Sequence, residues 1–337
     1  MDPLPKTFST PAVHDPLGGK IVAVLVTGAE GFIGSHLVEH LLAQGREVIG
    51  TTFDDSVLWR LEGVKDRIQV LSMDVRDGER VDEVMSAHRP EAVYHLAAQS
   101  LPTVSWEEPV RTIDTNANGT VNIIESLRRH SSEAPVLVAC SSAEYGMVSP
   151  DEVPTPEDHP LRPLHPYGVS KVAQDLLAYQ YHYNFGVKAF RARIFNTTGP
   201  RKEADVLADF TKRVVDIEQG RGPPRLRVGN LEASRDFTDV RDNVRALTLL
   251  VERGRPGVAY NICTGNVHRI SDLLDVILSN TGAQVEVWED PALMRPSDEP
   301  IIAGSNRRLV EDTGWGPEIP IERTIIDMLE FWRSHLG

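Results

Sequence analysis

The chain has 337 residues, 41% of them apolar, which is enough for a sizeable core and more than one core usually holds, so two domains are expected. Its 49 acidic against 35 basic side chains give a formal net charge of -14 without any concentrated basic run, which argues against nucleic acid or an anionic membrane as a partner. Only Cys140 and Cys263 are present, far apart and without metal-type spacing, so neither a disulfide framework nor a metal site is indicated, and a reducing, cytoplasmic setting is expected.

In chain order, residues 1–19 carry Pro3, Pro5, Pro11 and Pro16 but no apolar leader segment, and they read as a flexible arm. No stretch is long and apolar enough to span a bilayer. From Ile21 onward, short β-branched runs alternate with helical patterns, the rhythm of βαβ units and a parallel sheet. Strands are expected over 21–27, 47–53, 68–73, 92–97, 136–141, 187–194 and 258–262, with amphipathic helices between them, among them 34–44 and 120–129.

The first strand runs into Thr27-Gly28-Ala29-Glu30-Gly31-Phe32-Ile33-Gly34, directly before a helical pattern. Glycines at this spacing suit a tight strand-to-helix turn: Gly28 makes the turn, Gly31 admits a pyrophosphate and Gly34 allows close helix packing. Phe32 and Ile33 belong to the same dinucleotide loop. Asp54, after the second strand, is placed to accept from an adenosine ribose and would favour NAD, but it is equally good turn chemistry. Asp74-Val75, after the third strand, suits either an adenine contact or a helix cap. His36-Leu37-Val38-Glu39-His40 matches a zinc-peptidase string, yet it follows the phosphate loop and has no third ligand nearby in sequence, so no metal is expected.

The fifth expected strand ends in Ser141-Ser142-Ala143-Glu144-Tyr145-Gly146. Ligands sit at the carboxyl ends of such strands, so Ser141 is the candidate to hydrogen-bond a reacting oxygen. Tyr167 and Lys171 stand four residues apart, on one face of a helix starting near Pro166, where the ammonium is expected to lower the phenol and equip it for proton transfer. After Asn196 the rhythm changes, and Gly220 to Pro224 and Pro291 to Pro300 read as loops around a substrate. The expected fold is α/β, a Rossmann-type doubly wound parallel sheet with a smaller, mostly C-terminal α/β substrate domain. The nucleotide-binding domain is expected over 20–195 plus about 235–265, and the second over about 196–234 plus 266–337.

With these elements in order, the sequence resembles the extended short-chain dehydrogenase/reductase family over nearly its whole length after Gly19. Leu96-Ala97-Ala98-Gln99, Asn116 in Asn-Ala-Asn-Gly-Thr, and Arg193-Ile194-Phe195-Asn196 strengthen the match. The resemblance implies an NAD(P)(H) cofactor, with NAD against NADP left open. It also implies a Ser141, Tyr167 and Lys171 triad, a cofactor cleft lined by Leu96, Ala97 and Ala98, and Asn116 orienting the lysine. Val228-Gly229-Asn230-Leu231, Ser234-Arg235-Asp236-Phe237 and Asp290-Pro291-Ala292-Leu293-Met294-Arg295 are similar to the branch acting on GDP-linked sugars. That similarity implies Arg235 and Arg295 on a diphosphate, and Gln99, Ser142, Asn196 and Asn230 on the substrate. Related dehydratases carry a glutamate two residues before the tyrosine of Tyr145-Gly146, where this chain has Ala143, and Glu144 is one residue late.

In extended backbone a shift of one residue turns a side chain to the opposite face, so the elimination machinery is expected to be missing, and the resemblance implies a reductase of a nucleotide-diphosphate 4-keto-6-deoxy sugar. The alternatives are a GDP-mannose 4,6-dehydratase, a 4-epimerase, or a non-catalytic NAD(P) sensor. A homodimer or higher oligomer is expected, with helices 120–129 and 169–183 pairing across a two-fold axis.

Overall fold

The computed structural model describes residues 23–53, 55–293 and 299–336. The 1–19 arm, Asp54 and Arg295 therefore lie outside the described residues. Strands run in chain order as β1 (Val24–Thr27), β2 (Val48–Thr52), β3 (Gln69–Ser72), β4 (Ala92–His95), β5 (Val136–Ser141), β6 (Ala189–Ile194), β7 (Asn196–Thr198), β8 (Arg225–Val228), β9 (Ser234–Asp239), β10 (Ala259–Ile262), β11 (Val267–Arg269), β12 (Glu286–Glu289) and β13 (Ile301–Ile302).

Seven of them form one parallel sheet in the order β10-β6-β5-β4-β1-β2-β3, the same seven segments that the β-branched runs indicate. Side chains alternate across it: Val24 and Val26 of β1 enter one core, Leu25 the other. The first core is covered by the helices Phe32–Ala43 and Val240–Arg253, and the second by Gly78–His88, Gly119–His130 and Pro166–Phe185. Because β1 pairs with both β2 and β4, the order reverses between β1 and β4, and a crevice opens at their carboxyl ends.

Two smaller sheets complete the fold. β9 pairs with β7, β11 and β13, and β8 pairs with β12. A separate core joins Leu207, Phe210 and Val214 to Leu273, Ile277, Ile325 and Met328.

Two segments sit differently from the sequence-based division. Residues 234–239, expected to start the return to the large sheet, pair in the smaller one. The helix Arg307–Thr313, expected with the second domain, packs Leu309 into the first core, and Trp315 follows it there. Leu309 and Trp315 bury their apolar surface against Val240–Arg253, which outweighs their nearness in sequence to the second core. Among the described residues, no helix is long and apolar enough to cross a membrane.

Candidate active site

The phosphate loop is shaped by backbone contact. Gly28 has a φ of +68°, and a Cβ there would stand 2.9 Å from the Ala97 backbone. A Cβ on Gly34 would meet the Gly28 carbonyl oxygen at 2.1 Å, whereas Gly31 is less crowded, with that oxygen 3.1 Å away. The helix Phe32–Ala43 begins here with no side-chain cap, so its first N–H groups face the crevice and fit a pyrophosphate. Such a cradle, closed to any Cβ at Gly28 and Gly34, suits a dinucleotide.

Ile33 packs on the first core, while the Lys202 ammonium lies 4.8 Å from the centre of the Phe32 ring. Across the crevice, the Ala97 amide donates to Thr27 Oγ1 at 3.1 Å, Leu96 packs on the first core and Ala98 is half-buried. Val75 is buried against Gly119. Asp74 is held by the Arg76 guanidinium, which keeps its carboxyl below the usual range, and Asp77 rather than Asp74 caps the following helix.

Ser141, the last residue of β5, is buried and hydrogen-bonds Tyr167 near the start of the helix Pro166–Phe185. Lys171 Nζ lies 5.7 Å from the centre of the Tyr167 ring and donates to the Ala139 carbonyl at 2.8 Å. The phenol does not shift as expected. Burial pushes Tyr167 up to about 12, the Ser141 hydrogen bond pulls the other way, and Glu144 and Cys140 add to the rise. Lys171 is lowered to about 8 by burial.

Asn116 lies in a π-helical turn, Asp114–Asn118, that interrupts the surrounding helix and turns its side chain inward. Its amide donates to the Gln99 carbonyl at 3.0 Å and to Ser170 Oγ at 2.8 Å, and its oxygen accepts from the Gln99 amide at 2.8 Å. Asn116 thus ties the segment after β4 to the Tyr167 helix at Ser170, the residue before Lys171. The Gln99 side chain is turned to Leu101 and Thr112.

Of the remaining candidate substrate residues, Ser142 and Asn196 follow the paired strands β5 and β6, and Asn196 pairs with Phe237, two residues from Arg235 on β9. Ser142 is half-buried at the β5 exit, and Asn196 donates to the Asp236 carbonyl at 3.2 Å. Arg235 donates to the Ser234 and Glu299 carbonyls, and Asn230 accepts from the Glu232 amide at 3.0 Å. The zinc-like string separates: His36 bonds Pro200 and Arg201, and His40 bonds Thr248 and Gln44.

Sequence reasoning missed a buried charged cluster behind the triad. Arg193 donates to Asp175 at 2.9 Å and lies 3.2 Å from Glu144, and Arg191 donates to Asp175 at 2.6 Å. The available signal was an arginine inside a strand whose neighbours are buried and apolar. Cys140, Glu144 and Asp175 are the one grouping of metal-type donors among the described residues, and Asp175 is already committed to the two guanidinium groups.

Glu144 does turn away from the crevice, but not by strand alternation. Ser142–Glu144 is a single 3₁₀ turn, in which successive side chains are about 120° apart, and it carries the carboxyl to Arg193.

A parallel sheet with its reversal at β1 and β4, a glycine cradle there, and a Ser-Tyr-Lys set at the neighbouring strand end define the class, an NAD(P)-dependent oxidoreductase of the extended short-chain type. The GDP-mannose 4,6 dehydratase model matches residues 25–328. A GDP-6-deoxy-D-mannose reductase from Pseudomonas aeruginosa is 32% identical over 93% of this chain and 98% of its own length. The structure of RMD from Pseudomonas aeruginosa complexed with NADPH superposes with a TM-score of 0.82 at 30% identity, covering 93% of this chain and 99% of that one. A Thermotoga maritima UDP-glucose 4-epimerase with UDP-glucose gives 0.85 at 29%, covering 94% and 100%. The chain belongs to the GDP-mannose 4,6-dehydratase family.

Proposed function

We propose that this protein reduces the C4 ketone of GDP-4-keto-6-deoxy-D-mannose with NAD(P)H, giving GDP-D-rhamnose. The observation that carries the reading is at the β5 exit. Ala143 occupies the position two before Tyr145, and the Glu144 carboxyl is buried against Arg193, so neither supplies the acid that C5 deprotonation and loss of the C6 hydroxyl would need at this strand exit. The similarity to a GDP-6-deoxy-D-mannose reductase supports it.

When bound, the nicotinamide supplies the hydride. Tyr167 gives its phenolic proton to the sugar O4, Ser141 holds that oxygen, and the Lys171 cation stabilises the phenolate left behind. Gly28, Gly31, Gly34 and Ala97 would hold the cofactor, and Asn196, Asn230, Arg235 and Arg295 the nucleotide-sugar.

Loss of 340 nm absorbance on mixing the protein with NADPH or NADH and GDP-4-keto-6-deoxy-D-mannose is the expected result. GDP-mannose converted to its 4-keto-6-deoxy form without net cofactor use would instead mark a dehydratase, and isomer exchange without added reductant an epimerase.

The same proposal includes a homodimer in the cytoplasm. Its seam would be the exposed Val169, Leu176, Tyr179 and Tyr183 on the Tyr167 helix, flanked by Trp106 and Val110. The helix Gly119–His130 turns its own apolar residues, Ile123, Ile124 and Leu127, into the core. Two unpaired, buried cysteines fit a reducing compartment.

A further inference from the structure

Glu144 ends the 3₁₀ turn that follows β5, and its side chain is fully buried. Oε1 accepts from the Ser141 amide at 2.9 Å, while Ser141 Oγ accepts from the Ala143 amide at 3.2 Å, closing a reciprocal cap around the serine of the triad. Oε2 lies 3.2 Å from Arg193 Nε but makes no hydrogen bond of its own. Arg193 is already spent on Asp175, on the Tyr145 hydroxyl at 3.0 Å and on the Glu157 carbonyl at 2.8 Å.

A carboxyl retained only for stability would not leave a buried oxygen unsatisfied, because an apolar side chain of similar size avoids that desolvation cost. The charged and titratable groups around it come from three elements and its own turn: Cys140 of β5, Tyr145, the helix residues Tyr167, Lys171 and Asp175, and Arg193 of β6. Asp175 is on the same helix as Tyr167 and Lys171, so this cluster links the position of Ser141 to that of the phenol.

We propose that Glu144 is a positioning residue of the reduction proposed above, on which this inference rests: its carboxyl fixes the Ser141 amide and stands beside Arg193, which is bonded to Asp175 on the helix that carries Tyr167. Burial and Asp175 raise the Glu144 carboxyl and Arg193 lowers it, the net direction being upward, so the charge develops on the alkaline side of neutrality. There it disfavours the phenolate and extends the pH range over which Tyr167 remains an acid.

Two substitutions separate the parts. Glu144→Gln keeps an acceptor for the Ser141 amide but removes the charge. The alkaline limb of kcat/KM should move down by roughly half a pH unit. Glu144→Leu removes both, and should show the same shift together with a kcat roughly tenfold lower. Tyr167 is also titrated directly, from the phenolate absorbance difference between each protein and its Tyr167→Phe partner with NADP+ bound. That measurement needs no turnover, so a wrong sugar assignment and a wrong role for Glu144 give different results. Superimposable titrations of parent, Gln and Leu proteins would overturn the proposal. So would failure of both variants to fold, which would assign Glu144 to stability alone.

Discussion

At neutral pH the Tyr167 phenol is protonated, because burial pushes it up to about 12, and a protonated donor is what a ketone reduction consumes. Lys171, lowered to about 8, is still mostly a cation at pH 7 and loses that charge as the pH rises through its titration. Replacing Tyr167 with Phe removes the proton but little volume. Turnover should fall by roughly 10²-fold or more, while NADPH affinity measured by fluorescence titration stays within about twofold. An unchanged turnover would place the proton donor elsewhere. Tyr167, Lys171 and Ser141 were legible in the sequence because a helical spacing of four and a strand terminus each fix a side chain locally. Asn116 and Glu144 were singled out too, but not their contacts with Gln99 and Ser170 and with Arg193, which only the fold brings near.

The elements around the crevice are joined by a buried polar chain. Thr27 of β1 bonds His95 Nδ1 of β4 at 2.8 Å, His95 Nε2 bonds Thr120 at 3.1 Å, and Gln174 of the Tyr167 helix donates to Thr120 at 2.7 Å. Burial, aided by Lys171, lowers His95 to about 3, so it is neutral when folded and takes up a proton on unfolding below its ordinary value of 6.5. The unfolded chain then binds more protons, and folding stability falls as the pH drops from 6.5 towards about 3, by about 1.4 kcal/mol per pH unit for this group. His36, lowered to about 4 by burial and Arg201, acts in the same direction. His95→Gln should flatten the slope of urea-derived stability between pH 4 and 5.5 by about that amount, whatever it does to stability at pH 7. An identical slope would show that His95 does not titrate on unfolding. Most strands of the large sheet were visible in the sequence because strands buried on both faces are written in β-branched and apolar residues, and the partly exposed edge strand β3 still shows Val70-Leu71 at its centre. β7, β9 and β13 were not, as Asn196–Thr198 and Ile301–Ile302 are too short to carry a period and exist only by pairing with Ser234–Asp239.

For the whole molecule, the unburied apolar surface decides the argument. On the helix Pro166–Phe185, Val169, Leu176 and Tyr183 recur every seven residues, and Tyr183 is 76% exposed beside the stacked Tyr179. Trp106 and Val110, 65% and 81% exposed, come from the two short helices packed against it. A seven-residue stripe suits two such helices packing at a shallow angle around a two-fold axis, where each copy covers the stripe of the other. The opposite face of the same helix carries Lys171 and Asp175, so an interface there would brace the element that holds the catalytic phenol. Sedimentation at micromolar concentration should give twice the chain mass of 37.4 kDa. Leu176→Asp with Tyr183→Asp places two charges on the seam of each copy and should give the single-chain mass, with near-ultraviolet dichroism showing that the fold is kept. A parent protein that sediments as one chain at all concentrations would leave this stripe without the partner assigned to it.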